Sequence, residues 1–471
     1  MASSEGQVEM DPIRELLPIG LQMSARQRAA VLRLANLTGR SGPIVLLPDM
    51  AFKAKNPFAT GLVACFHEHV VPTAIGASIN CGTLLMKTDA RAADVCGSEW
   101  QRILRAIAEK AAEYSRDTPS LTFDEMVRAM TDARASCAAL GYSKAELDCI
   151  EPEGYRLGAE TSWRQVAQAI PEFALRGSQL SMGELGVGNH FIEFHSVTDI
   201  ADREMAVALG VSEGSVTFAI HSSPPLGPLV SLMYSSRPEV KGEIAVKMAI
   251  RKALFHLGLP AGMSGLVATL GHRLALYEDE PIARSYVCAY DAATSSGYVH
   301  RAMLATQVRK ILGEEMGIGC ELVADLSHNG IWRGRVDGSN VYIHRHGACS
   351  FRPASFFPPD HPYARTGQPA FVGSSMSTPS ALFVPGTAAD LSYYSLSHGT
   401  GKREHPGSLP TDSDKFLHDS GIEALWPAGT QITSQLGHNY RPIDSLAKVL
   451  KENGIARMVA TMKPVACFKK P

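Results

Sequence analysis

The string Gly186-Val187-Gly188-Asn189-His190-Phe191-Ile192-Glu193 sets an amide, an imidazole, an aromatic ring and a carboxylate directly behind two glycines. Glycines let the backbone approach a ligand closely, and the side chains that follow can serve a metal, a phosphate or a planar ring. Alone the string is a weak motif, and its weight comes from similar settings elsewhere. Asn80-Cys81-Gly82 ends an apolar stretch in a thiol beside a glycine, His221 closes Ala219-Ile220-His221-Ser222-Ser223, and His328 closes Asp325-Leu326-Ser327-His328-Asn329-Gly330. A thiolate with imidazoles is a donor set suited to Mn, Fe or Zn, so Cys81, His190, His221 and His328 are candidate metal ligands. Taken singly, each is more commonly a buried thiol or a satisfied polar group, and their separation along the chain carries no ligand-spacing signature.

Ser397-His398-Gly399-Thr400-Gly401-Lys402 has the make-up of a phosphate-cradling turn, with glycines exposing backbone N–H groups and a lysine adding charge. A histidine there can attack a phosphoryl group and form a phosphoramidate; the bland alternative is a surface glycine turn. Ser374-Ser375-Met376-Ser377-Thr378 and Ser380 offer further hydroxyl and amide donors to anionic oxygens. His67-Glu68-His69 and His344-Arg345-His346 imitate metal pairs, but strand alternation explains both; Gly347-Ala348 beside the second leaves room for a substrate contact there.

These residues need a scaffold, and its helix starts are legible. Ser24…Gln27, Ser98…Gln101, Thr122…Glu125, Ser143…Glu146 and Ser162…Gln165 fit the capping-box spacing ahead of apolar-periodic stretches, predicting a helical cluster over 98–175. Further helices are expected at 240–257, 287–312 and 444–452. Strand-like runs at 44–47, 61–66, 216–220, 340–343 and 465–468 are scattered over the chain, with candidate site residues at their ends. This predicts one large α+β domain over 21–471, central sheets flanked by helices and a helical insertion at about 98–175, after a flexible tail at 1–20. The glycine-, proline- and serine-rich stretches 350–380 and 395–412 read as ordered functional loops anchored by residues such as Phe371 and Met376.

Bulk properties exclude rather than identify. Of 471 residues 45% are hydrophobic and 20% charged, ordinary globular composition, and the net charge of -2 gives no global basic field for nucleic acid, though a local groove is compatible with it. Nine cysteines without tight spacing argue against a disulfide framework and point to a reducing, cytoplasmic compartment. The N-terminus lacks the features of a signal peptide, and no apolar run is long enough to span a membrane.

In this order the strings resemble the RtcB family of RNA-splicing ligases, from about Ser24 to Lys470. The carriers are Leu47-Pro48-Asp49, Val71-Pro72, Ile79-Asn80-Cys81-Gly82, Gly188-Asn189-His190-Phe191-Ile192-Glu193, Asp325…His328-Asn329, His344-Arg345…Gly347-Ala348, Ser375-Met376…Thr378, His398-Gly399…Gly401, Tyr440…Asp444 and Pro464-Val465…Lys469. The resemblance implies a GTP- and Mn-dependent ligase, acting in tRNA splicing or RNA repair. It would join an RNA 3′-phosphate or 2′,3′-cyclic phosphate end to a 5′-hydroxyl end through a GMP adduct on His398. It implies two Mn ions, with Cys81 bridging, His190 serving one and His221 with His328 the other. It also implies a nucleotide site of Asn189, His190, Phe191, Ile192, Glu193, His328, Asn329, Gly373, Ser374, Ser375, Met376, Ser380, His398, Gly399, Thr400, Gly401, Tyr440 and Lys469. In it Asn189 and Asn329 would touch the triphosphate, Phe191 and Tyr440 stack on guanine, and Glu193 and Lys469 read its edge.

The chain departs from the family at several places. Ser78 stands where the family has an aspartate ligand, and a neutral hydroxyl binds Mn more weakly than a carboxylate. Ser222-Ser223-Pro224-Pro225-Leu226 replaces a loop that carries a phosphate-suited arginine, His346 replaces a lysine, Lys402 an arginine, and Met50-Ala51 the family's histidine region. The alternatives are therefore a ligation-deficient paralogue that binds GTP or RNA ends, and a metal-dependent phosphoesterase acting on RNA ends.

Overall fold

Strand-forming runs from nearly the whole chain sort into two large sheets in the computed structural model, which describes residues 11–52, 58–112, 121–151, 157–158, 161–234, 275–403, 413–425 and 435–469. The first sheet comprises β1 (Ile13–Glu15), β2 (Ile44–Ala51), β3 (Thr60–Phe66), β10 (Asn329–Val336) and β11 (Ser339–His346), in the order β1-β2-β3-β11-β10. The two-stranded pair β4 (His69–Val70) and β8 (Leu276–Tyr277) stands apart from it. The larger sheet runs β13 (Ala370–Val372), β14 (Ser380–Pro385), β17 (Ala456–Lys469), β6 (Phe191–Ile200), β7 (Ser215–Ser222), β5 (Gly82–Arg91) and β9 (Cys320–Ser327), with β16 (Glu423–Leu425) parallel beside β17. A short ladder of β12 (Ala348–Ser350) with β15 (Ser395–Ser397) carries His398 at its end.

Both faces of the larger sheet are buried. Leu84, Met86, Ile192, Phe194, Phe218 and Ile220 pack against helices, while Leu85, Val197, Ala219, Leu382 and Ala460 form a second core behind them. The helices Gly97–Ala112, Phe123–Thr131, Ala133–Ala139, Lys144–Cys149, Trp163–Ala169 and Glu172–Leu180 occupy the expected cluster. They gather round one helix, Pro281–Met316, started by a proline and stopped by left-handed Gly317. Its middle, Ala292-Ala293-Thr294-Ser295-Ser296-Gly297, is buried; small side chains let neighbours approach it closely.

Four of the five capping boxes form as the spacing predicts, at Ser24, Thr122, Ser143 and Ser162. The fifth does not: its helix begins at Gly97, which puts Ser98 inside the first turn, and the Gln101 amide donates instead to Glu423. The helix expected at 287–312 is the core of Pro281–Met316, and that at 444–452 is Ile443–Glu452. The helix expected at 240–257 lies outside the described residues, as does the second half of 395–412. The expectation of a tail over 1–20 is corrected in its second half, because Ile13–Glu15 pairs in parallel with Ile44–Leu46.

Candidate active site

Antiparallel pairing sets strand starts beside strand ends, and in the larger sheet this aligns one row of residues. Lys469 of β17 is in register with Phe191 of β6, Phe191 with His221 of β7, His221 with Thr83 of β5, and Thr83 with Leu326 of β9. Cys81 immediately precedes β5, His190 precedes β6, and His328 links β9 to β10. Residues far apart in sequence therefore meet along one end of one sheet.

There the Cys81 Sγ lies 3.2 Å from His221 Nε2 and 3.6 Å from His190 Nε2. The donor atoms of Cys81, His221 and His328 are all within 4.8 Å of one another. The His221 Nδ1–H donates to the Asn189 carbonyl at 3.2 Å, so its Nε2 lone pair faces the sulfur. Burial holds the His221 and His328 imidazoles well below their ordinary protonation range and brings His190 down to about 4. Neutral nitrogens aimed at a sulfur are what a cation needs from its ligands, so these residues fit a divalent metal. Gly186 has to be glycine, since a Cβ there would sit 2.4 Å from His190 Nδ1.

The loop carrying Cys81 is clamped from behind. Asn80 is fully buried with φ 53°, its side chain donating to the Thr294 carbonyl. Arg301 of the long helix donates to the Asn80 carbonyl at 2.8 Å and its side-chain oxygen at 3.2 Å, and to Asp325 at 2.6 Å. Asn329 bridges the same loop to the next, donating to the Ser78 carbonyl and accepting from the Gly347 N–H.

His398 stands next to this cluster, its ring 4.6 Å from that of His328. Its Nδ1–H faces two acceptors, Asp49 Oδ2 at 2.7 Å and the Gly347 carbonyl at 2.9 Å. That fixes the tautomer and leaves the Nε2 lone pair available, with the buried carboxylate set to stabilise positive charge on the ring. Asp49 sits where the β2–β3 register shifts between Leu46 and Ala51.

A cavity of about 470 Å³ opens in front of His398, lined by Phe191, Glu193, Ser374, Thr400, Tyr440 and Lys469 among others. Glu193 and Lys469 are buried, at 4% and 5% exposure, and the Lys469 ammonium lies 5.4 Å from the Phe191 ring centre. Burial lowers the Lys469 pKa, opposed by Cys467 and Glu193. On the other wall Tyr440 donates to Gln435, which donates to Asn189, and Lys402 lies 5.4 Å over the Tyr440 ring. The Gly373–Lys402 side supplies small donors: Ser374 and Thr400 hydroxyls lie 3.4 Å apart, and left-handed Gly401 lets the loop pass over the Asp49 carbonyl, 2.7 Å from where a Cβ would stand.

The structure brings Asn189, Phe191, Glu193, Gly373, Ser374, Ser375, Met376, His398, Gly399, Thr400, Gly401, Tyr440 and Lys469 to this cavity, and beside it His328 to the Cys81–His221 pair and His190 to the Cys81 sulfur. Ile192 goes elsewhere, because strand alternation turns it into the apolar core. Ser380 is fully buried and accepts from the Ser374 N–H, shaping the loop from behind. His344 is structural: its Nε2 accepts from the Val71 N–H, and burial lowers its pKa to about 3. Arg345 is buried and holds Ser395 and the carbonyls of Tyr393 and Tyr394 just ahead of His398. His69 packs between Phe66 and Tyr277 while His67 bonds the Asn340 carbonyl, which accounts for that pair without a metal. Pro224-Pro225 leads straight into the helix Leu226–Tyr234.

Sequence reasoning assigned no role to Asp49, Gln435 or Arg441, all of which line the cavity. Asp49 was visible only as part of Leu47-Pro48-Asp49, and nothing in that string points to a histidine near residue 400.

Residues 30–470 match the family model described as tRNA-splicing ligase RtcB. The tRNA-splicing ligase RtcB of Archaeoglobus fulgidus is 27% identical, over 97% of this chain and 93% of its own length. That of Nanoarchaeum equitans is 27% identical over 90% and 88%, and the RNA-splicing ligase RtcB of Mycobacterium tuberculosis 25% over 69% and 71%. Among the described residues no helix is long and apolar enough to cross a membrane.

Proposed function

The chain belongs to the RtcB family, and we propose that it is an RNA ligase that uses GTP to join a 3′-phosphate or 2′,3′-cyclic phosphate end to a 5′-hydroxyl end. The observation that carries this is the Asp49–His398 pair: a histidine with a fixed tautomer and a free Nε2, at the mouth of a cavity suited to a purine nucleotide.

In this reading Nε2 of His398 attacks the α-phosphorus of GTP, a P–N bond forms as the P–O bond to pyrophosphate breaks, and Asp49 stabilises the ring's positive charge. Ser374, Thr400 and the backbone of Gly399-Thr400-Gly401 face the phosphates, and Lys402 adds charge. Phe191 and Tyr440 hold the base between them while Glu193 accepts from guanine N–H groups. A 2′,3′-cyclic end is first opened by water to the 3′-phosphate. An oxygen of that phosphate then takes GMP as the P–N bond to His398 breaks, and the 5′-hydroxyl, losing its proton, displaces GMP to form the phosphodiester. A divalent ion held by Cys81, His221 and His328, with Mn the family's expectation, would supply positive charge to the phosphoryl oxygens.

Incubation with GTP and Mn should give an acid-labile, base-stable GMP adduct that is absent from His398→Ala. No adduct at saturating metal, with GTP still bound, would replace this reading with that of a nucleotide or RNA-end binder. Release of phosphate from RNA ends without joining would favour the phosphoesterase.

A further inference from the structure

The donors around Cys81 are unequal. Cys81, His221 and His328 form one mutual set with all donor atoms within 4.8 Å, while His190, 3.6 Å from the sulfur, is not part of it. A tetrahedral ion with bonds of the usual Zn–N and Zn–S length sets its ligands about 3.5 Å apart, and both the 3.2 Å Cys81–His221 and the 3.6 Å Cys81–His190 separations lie near that edge. What sets His190 apart is that it joins no mutual set with the other two imidazoles.

Among the described residues no carboxylate belongs to the set, and three buried carboxylates of the surrounding strands each already hold a partner through one oxygen. Asp49 accepts from His398, Asp325 from Arg301, and Glu193 from His195. Among the described residues the side beside His190 offers one imidazole and a sulfur already used by the other centre, with the neutral Ser78 in the Cys81 loop. Two protein ligands make a weak site; a thiolate with two imidazoles makes a firm one for a borderline-soft ion and leaves a fourth position open for an oxygen ligand.

We propose that this centre binds a single thiophilic divalent ion, Zn2+ or Co2+ in kind, through Cys81, His221 and His328, and that the flank beside His190 holds no second ion of its own. The proposal rests on the ligase reading only in taking a phosphoryl oxygen as the fourth ligand. The ion count is measured without GTP or RNA, so absence of the GMP adduct would sink the ligase reading and leave the count standing.

The test is titration of the full chain, stripped of metal by chelator, with Co2+ followed by absorption. A thiolate-to-cobalt band saturating at one equivalent is expected, and Mn2+ should displace cobalt only at about 1000-fold excess or more. His190→Ala should keep the single equivalent with affinity within about 3-fold, whereas His328→Ala should weaken it by about 100-fold. Cys81→Ser should abolish the charge-transfer band; if that variant fails to fold, the His190→Ala and His328→Ala pair decides. Ser78→Asp should add a second equivalent, read with Mn2+. Saturation of the unaltered chain at two equivalents, or equal loss in His190→Ala and His328→Ala, would overturn the proposal.

Discussion

Asp49 and His398, 349 positions apart in the chain, meet through a 2.7 Å hydrogen bond from the imidazole Nδ1–H to a carboxylate that is 1% exposed. The carboxylate does two jobs, holding the tautomer and offsetting charge on the ring. Asp49→Asn keeps the shape but removes the charge, and its amide can turn to donate to Nδ1 and so protonate Nε2. Adduct formation with labelled GTP should fall by about 10²–10⁴-fold while GTP binding stays within a few-fold. A loss of both together would mean that Asp49 only holds up the cavity wall.

Arg301 is expected to act on the metal site through Asn80. Arg301→Lys keeps a charge opposite Asp325 but cannot reproduce the fork onto both Asn80 oxygens, so metal affinity in a chelator competition should drop about 10–100-fold. Arg301→Met leaves Asp325 buried without its cation and should lower the unfolding free energy by about 3–5 kcal/mol, read by urea denaturation.

Glu193 should decide which base is bound. Its Oε1 is held by His195, which fixes the buried carboxylate where it lines the cavity. Glu193→Gln replaces a charged acceptor with a neutral amide, and GTP affinity should fall about 10–100-fold with ATP affinity little changed. Equal loss for the two nucleotides in calorimetric titration would exclude a role in base selection.

Stability should rise with pH across the mildly acidic range. Burial lowers His344 and His300 to about 3, and each ring accepts a backbone N–H, from Val71 and Gly183 respectively. Unfolded, these groups titrate near about 6.5, so between that pH and about 3 the unfolded chain binds more protons than the folded one. Their contribution is complete above the unfolded value and is lost as pH falls through the window, by up to about 1.4 kcal/mol per pH unit for each. Urea midpoints at pH 7.5 and pH 5 should show this drop. His344→Gln, whose amide oxygen can still accept, should reduce the slope.

What the sequence revealed follows from range of interaction. Capping boxes at Ser24, Thr122, Ser143 and Ser162 are local chemistry and read directly. Strand ends bearing Cys81, His221 and His328 could be marked, but their convergence depends on sheet order, which local pattern does not encode. The same gap hid Asp49, whose significance lies wholly in its distance from His398. Ile192 was misjudged with its neighbours because a contiguous motif on a strand divides between two faces. Ser98 had the right spacing, but the helix had already begun at Gly97.

β17 ends at Lys469, in register with Phe191, while Asp49 reaches the same cavity from β2, far away in sequence. The cavity is thus closed by strands that lie far apart in sequence. Non-local closure of this kind is slow and comes late in folding. If the cavity holds GTP as proposed, competence for nucleotide should arrive only once β17 has paired with β6, which makes GTP binding a report on the fully assembled sheet.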